Sequence, residues 1–290
     1  MKKRLSSIAV FAALGLCAVA ASAEEQYQSE ISAVYGRTDY SQDFRVTTIG
    51  AMAEVFFAPV NTTGHPYAEA AFLERAGSVI VTASDIGLKA SLADGDGRVL
   101  RAGVNYAKPD FPLAVQATYG KTKYDYDAPY NYAYEGNDYS IRVGNYFTRT
   151  LLAGVNYANS KIDESTTGFS MKSKDVGIFA HYVNELGQGT ALSLDGSLLS
   201  STSDDGSGSL RNTVERVSVD YFFSRGLSAG VGIENSSGKD LDNEGRTYSA
   251  NVRYFVSPRL SFLAMYDRSL AANAGSDDTK SVVIVAALRF

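Results

Sequence analysis

The chain has 290 residues, with 27 Lys+Arg against 32 Asp+Glu, one Cys, two His, no Trp and six Pro. That acidic balance excludes nucleic acid as a partner, because binding phosphates takes a basic patch, and a lone cysteine excludes an internal disulfide and a thiolate metal cage. The 26 Gly, 19 Tyr and 14 Phe leave a soluble β domain and a transmembrane barrel both open until periodicity is read.

The first element is a leader. Lys2, Lys3 and Arg4 precede an apolar run from Leu5 to Ala20, then Ala21-Ser22-Ala23 and the acidic pair Glu24-Glu25. A basic stretch, a short apolar core and a small-x-small site predict a cleaved signal peptide over 1–23. The apolar run falls short of the ~20 residues a membrane helix needs, and Leu16 stands before Cys17 where a lipoprotein signal requires a small residue. Cleavage leaves the mature chain 24–290, removes the only cysteine and takes three of the 27 basic residues, so that 24 face 32 acids and the net charge is −8.

After the leader, helical patterning is nearly absent, and apolar and polar residues alternate in segments of about ten, the length of a tilted membrane strand. In chain order the strands are predicted at 26–36, 45–57, 67–83, 98–107, 113–124, 137–147, 150–160, 174–183, 190–200, 213–222, 227–236, 247–256, 259–269 and 280–290. Arg75-Ala76-Gly77 marks a bulge or bend in the third. In the tenth, Val217, Val219 and Tyr221 alternate with Arg216, Ser218 and Asp220. The last places Val282, Ile284, Ala286, Leu288 and Phe290 on one face.

A soluble sandwich also alternates, so the ends of the strands decide. Aromatics stand beside short turns at Tyr146-Phe147, Tyr221-Phe222-Phe223 and Tyr254-Phe255, like an interfacial girdle above periplasmic turns. Longer polar stretches at 163–172, 200–211, 236–246 and 272–279 read as loops of the opposite end. Tyr146, Tyr182, Tyr221 and Tyr254 are spaced by 36, 39 and 33 residues, one hairpin each. The expected fold is an all-β transmembrane antiparallel up-and-down barrel of about 14 strands, with 12 or 16 also admissible, and an even number puts both termini in the periplasm. The terminal Phe290 of an alternating strand resembles the C-terminal signal read by the barrel assembly machinery, placing the chain in a Gram-negative outer membrane among lipid and lipopolysaccharide.

From Phe57 to Gly77 the chain reads FAPVNTTGHPYAEAAFLERAG. This resembles the general bacterial porin family, in which a strand ends in aromatics, turns through Pro-Val-x-Thr and resumes with Ala-Glu-Ala-Ala-Phe-Leu-x-Arg. The resemblance implies a pore, names no solute and supplies no catalytic residues.

The remaining chemistry reads sparsely. His65 falls in the 61–66 turn and His181 on a polar phase near the periplasmic end, where a hydrogen-bond network suits a lumen-facing imidazole better than a Ser-His-acid triad; no enzyme activity and no cofactor are expected. Asp94-Gly95-Asp96-Gly97 lacks the twelve-residue calcium pattern. The acidic clusters 204–205, 240–244 and 277–278 read as solvated loops or as divalent-ion bridges to lipopolysaccharide. Tyr119, Tyr124, Tyr126, Tyr130, Tyr132, Tyr134 and Tyr139 read as an outer girdle or a carbohydrate platform.

Taking the apolar phase as lipid-facing, because Arg or Lys at mid-depth would cost ~2 to 4 kcal/mol, the pore lining receives Arg75, Arg101, Arg142, Arg216 and Arg253. Against them stand Glu54, Glu69, Asp195, Asp220, Glu234 and Asp267. Mixed charges without a plug imply a hydrated lumen for ions and small hydrophilic solutes, with weak selectivity. No loop is long enough to serve as an inward-folded constriction, so a monomer or a homotrimer is expected. The alternative is a non-conducting barrel serving as adhesin, receptor or envelope-structural protein.

Overall fold

Segments that alternate apolar and polar side chains have two unlike faces, and in a bilayer a sheet built from them must close, since an open edge would leave backbone N–H and C=O groups unpaired in hydrocarbon. A computed structural model describes residues 25–40, 44–90, 94–127, 132–165, 168–187, 189–206, 208–238, 245–271 and 278–290; the signal-peptide segment 1–23, Tyr130 and the 240–244 acidic cluster lie outside them. The described chain is a closed antiparallel barrel of fourteen strands.

The strands are β1 (Gln26–Asp39), β2 (Phe44–Asn61), β3 (Ser78–Ala90), β4 (Asp94–Lys108), β5 (Phe111–Tyr126), β6 (Ala133–Tyr146) and β7 (Leu151–Glu164). They continue as β8 (Ser170–Gly187), β9 (Thr190–Asp204), β10 (Ser209–Ser224), β11 (Leu227–Gly238), β12 (Gly245–Ser257), β13 (Leu260–Ala271) and β14 (Thr279–Arg289). Each pairs with its neighbours in sequence, and β1 meets β14 from Glu30↔Arg289 to Asp39↔Lys280. Phe290 completes that seam: its N–H donates to Ser29 O at 2.9 Å and its carbonyl accepts from Gln28 N at 2.6 Å.

Alternation splits each aromatic pair at the periplasmic rim. Phe147 is 66% exposed to the lipid side and Tyr146 only 7%. Likewise Phe223 and Tyr254 point outward while Phe222 and Phe255 are buried. At the opposite rim Tyr119 and Tyr139, cross-strand partners, are exposed in the manner of a girdle.

Two expectations are corrected. Residues 67–77 do not belong to the third strand; they carry a short helix, α1 (Ala70–Leu73), and β3 begins only at Ser78. Of Ala-Glu-Ala-Ala-Phe-Leu, the Ala, Glu and Leu are good helix formers and the Ala and Glu are poor strand formers, and Arg75, at φ 51°, turns the chain sharply after the helix. The bend read at 75–77 is therefore present, but as a helix exit rather than a bulge. The polar loops expected at 163–172 and 200–211 are also shorter than read: β7 runs to Glu164, β9 to Asp204 and β10 starts at Ser209. Outside the bilayer both faces of a strand are polar, so the alternation that marks the spanning part stops before the strand does. The long connection lies instead at the periplasmic end, over 62–77.

Candidate pore and its periplasmic plug

The 62–77 segment folds inward across the mouth of the barrel. Its entry is a tight turn in which Asn61 Oδ1 accepts from Thr63 N at 2.9 Å and Gly64 takes φ 80°. Three patches of wall then receive its apolar side chains. Ala70 packs with Tyr27, Phe56 and Val60 of β1 and β2. Leu73 packs with Val183, Ala191 and Phe222 of β8, β9 and β10. Phe72 packs against Ala107, Ala114 and Tyr146 of β4, β5 and β6. On the fourth side Tyr67 lies 5.4 Å from the Phe255 ring of β12. The inward members of the rim aromatics thus form the seat of a plug, which corrects the expectation of an unplugged lumen and of no inward-folded segment.

Polar clamps fix the plug to the wall. His65 Nδ1 lies 2.6 Å from Glu185 of β8, and its Nε2 lies 3.0 Å from Glu74 and 3.2 Å from Arg149. His181 of β8 reaches Glu69 of the plug at 3.1 Å and Asp195 of β9 at 2.8 Å, with Phe72 edge-on to its ring at 4.2 Å. Arg225, in the β10–β11 turn, donates to Thr62 O at 2.5 Å and to His65 O at 3.3 Å. Glu25 accepts from the Thr63 hydroxyl, which holds its carboxyl below the usual carboxylate range, with the nearby Arg225 charge adding to the effect.

Above the plug lies a cavity of about 670 Å³. Of the residues read as pore-lining, Glu54, Glu69, Arg142, Asp195, Arg216 and Arg253 line it together. Glu69 reaches it from the plug rather than from a strand. Arg75 does not: it is on the plug, with its guanidinium 4.4 Å over Tyr146 and donating to Pro109 O and Thr148 O at 3.0 and 3.2 Å. Arg101 pairs with Asp138 at 3.2 Å nearer the outer end. Glu234 pairs with Arg216, Asp267 interacts with both, and Asp220 stands near Arg253 on the same inward phase.

Sequence reading missed Glu30, Arg289 and the inward aromatics. Arg289 donates to Glu30 at 2.6 Å and to Tyr67 O at 2.9 Å, and its guanidinium lies 4.3 Å over Tyr27 and 4.8 Å over Phe255. The alternation was a usable signal, because Arg289 shares the inward phase of its strand with Ser281, Val283 and Val285.

A family model described as "Putative general bacterial porin" matches residues 1–183. No curated protein matches the sequence. Among solved structures, the Acinetobacter baumannii outer membrane protein Omp33 is 18% identical with a TM-score of 0.62, over 92% of this chain and 100% of that one. The CymD monoaromatic hydrocarbon channel is 10% identical, with a TM-score of 0.57 over 91% of this chain and 89% of that one. A bacterial polysaccharide outer membrane secretin is 10% identical, with a TM-score of 0.53 over 93% of this chain and 100% of that one. At such identities the likeness is one of fold.

Proposed function

Because the chain belongs to the general bacterial porin family, we propose that ions and small hydrophilic solutes diffuse passively through this outer-membrane barrel, past a periplasmic end narrowed by residues 62–77. The observation that carries this reading is the charged cavity of about 670 Å³ inside the wall. A chamber faced by guanidinium and carboxylate groups is solvated by water and polar solutes, and an apolar ligand would have to strip those groups of their hydration. In the same reading residues 1–23 are a cleaved export signal and Phe290 is recognised by the barrel assembly machinery. The barrel sits among lipid and lipopolysaccharide as a monomer or homotrimer. No catalytic role is proposed, since both imidazoles are held by carboxylates in clamps between plug and wall.

Recording from purified protein in planar bilayers tests the proposal: stepwise conductance in potassium chloride is expected. If no steps appear, the plug closes the lumen under those conditions and the non-conducting adhesin, receptor or structural barrel takes its place.

A further inference from the structure

Each carboxylate lining the chamber already has a partner. Glu30 accepts from Arg289 at 2.6 Å and Glu54 from Ser78 Oγ at 2.6 Å, while Glu69 and Asp195 hold the two nitrogens of His181. The guanidiniums divide differently. Arg289 and Arg216 are paired, with Glu30 and Glu234. Arg142 and Arg253 line the same cavity with no ion pair or side-chain hydrogen bond among the described residues. The acids of the lining thus have their hydrogen bonds taken up, while Arg142 and Arg253 keep donors to spare, the latter with Asp220 nearby.

Arg142 has a particular setting. Its guanidinium lies 4.5 Å over the ring of Phe179 and lines the cavity, so its planar set of N–H donors is available there for the fork geometry that matches a carboxylate. Beside it Phe72, Tyr146 and Leu152 form an apolar shelf continuous with the plug. Leu152 and Phe179 both press against Gly144, where even a methyl group would clash, so the shelf closes up to the wall. Asp195 is the acid whose field reaches Arg142, but its oxygen is engaged by His181 at 2.8 Å.

We propose that this corner of the chamber, between β5 and β8 above α1, binds a small organic monoanion with a flat apolar body, the class of an aryl carboxylate. Arg142 takes the carboxylate, and Phe179, Phe72 and Leu152 take the ring. Arg253, on the far wall, contributes to drawing anions into the chamber without touching the bound ring. The assignment deepens the pore reading by naming a solute class and rests on it for the solute's access.

The test is titration calorimetry of the folded mature protein with benzoate, benzyl alcohol, benzylammonium and acetate, beside bilayer recordings of the same sample. Benzoate is expected to bind at least about tenfold more tightly than each of the other three, since each lacks either the fork-matched charge or the apolar surface. Arg142→Gln should weaken benzoate by about tenfold or more, Arg142→Lys by less because it keeps charge and loses the fork, and Arg253→Gln by about twofold through a screened field alone. Should the Gln variant fail to fold, the Lys variant decides. Equal binding of benzyl alcohol or of acetate overturns the class, and unchanged benzoate affinity in the Arg142 variants overturns the site. Conductance steps without benzoate binding sink this proposal and leave the pore; benzoate binding as described without steps sinks the pore and leaves the site.

Discussion

Arg289 is the penultimate residue, yet its side chain is only 7% exposed and its partner Glu30 only 15%. Removing the cation strands a carboxylate in a confined, low-dielectric corner. Arg289→Met is therefore expected to cost about 2 to 3 kcal/mol, read as a lower urea midpoint in phospholipid vesicles. Adding Glu30→Gln should recover part of the loss, and no recovery would show that the packing over Tyr27 and Phe255 carries the effect instead. Phe290, one residue on, closes the seam through backbone hydrogen bonds, which a side-chain change leaves intact. A fall in outer-membrane assembly of Phe290→Asp would then report on recognition of the aromatic, and unchanged levels would remove that role. Glu25 titrates differently from its unfolded state. Its carboxyl is lowered in the folded protein by Thr63 and Arg225, so its contribution is full above the unfolded value of about 4.3 and is lost as pH falls through the lower folded one. The stability gap between wild type and Glu25→Gln should shrink as pH drops from about 6 to about 3, and a gap that widened on acidification would refute the tether.

The plug is the element on which conduction turns. Its apolar contacts reach wall on several sides, while its polar clamps concentrate on β8, where His65 meets Glu185 and His181 meets Glu69. His65 has a side chain 9% exposed between two acids, so His65→Ala leaves Glu74 and Glu185 facing each other with Arg149 as the remaining cation. The expected cost is about 2 kcal/mol, taken from the plug's hold rather than from the barrel, whose hydrogen-bond ladder is untouched. In single-channel records the variant should show larger or noisier steps than wild type with the same heat stability. Identical steps would mean that the apolar seat, with Val60 and Val183 wholly buried, holds the plug by itself.

For the molecule as a whole, closure between β1 and β14 leaves no free edge among the described strands, and unfolding must break the ladder cooperatively. Unheated and boiled samples should accordingly migrate differently on a detergent gel, and identical migration with a helical circular dichroism spectrum would contradict the barrel. Selectivity is likewise a property of the whole charge distribution. Taking both unpaired guanidiniums from the chamber in Arg142→Ser/Arg253→Ser should shift reversal potentials toward cations, and unchanged potentials would show that ions pass without sensing the chamber.

The sequence by itself determined the barrel, because lipid on one side and water on the other force a period of two on every spanning strand, and Val217 beside Arg216 or Val252 beside Arg253 can be read without coordinates. For the same reason the count of about fourteen strands was legible, with 12 and 16 still admissible until the barrel closed, as was the inward phase of Arg142, Asp195 and Arg253. The sequence did not determine where strands end beyond the bilayer, since there both faces meet water and the period disappears. Nor did it reveal the plug: Ala70, Phe72 and Leu73 are apolar on every side because they are seated against several strands at once, and no single period describes such surroundings. Which charges cancel was also a tertiary decision, for Glu30 and Arg289 stand 259 residues apart in the chain and become neighbours only when the last strand closes on the first.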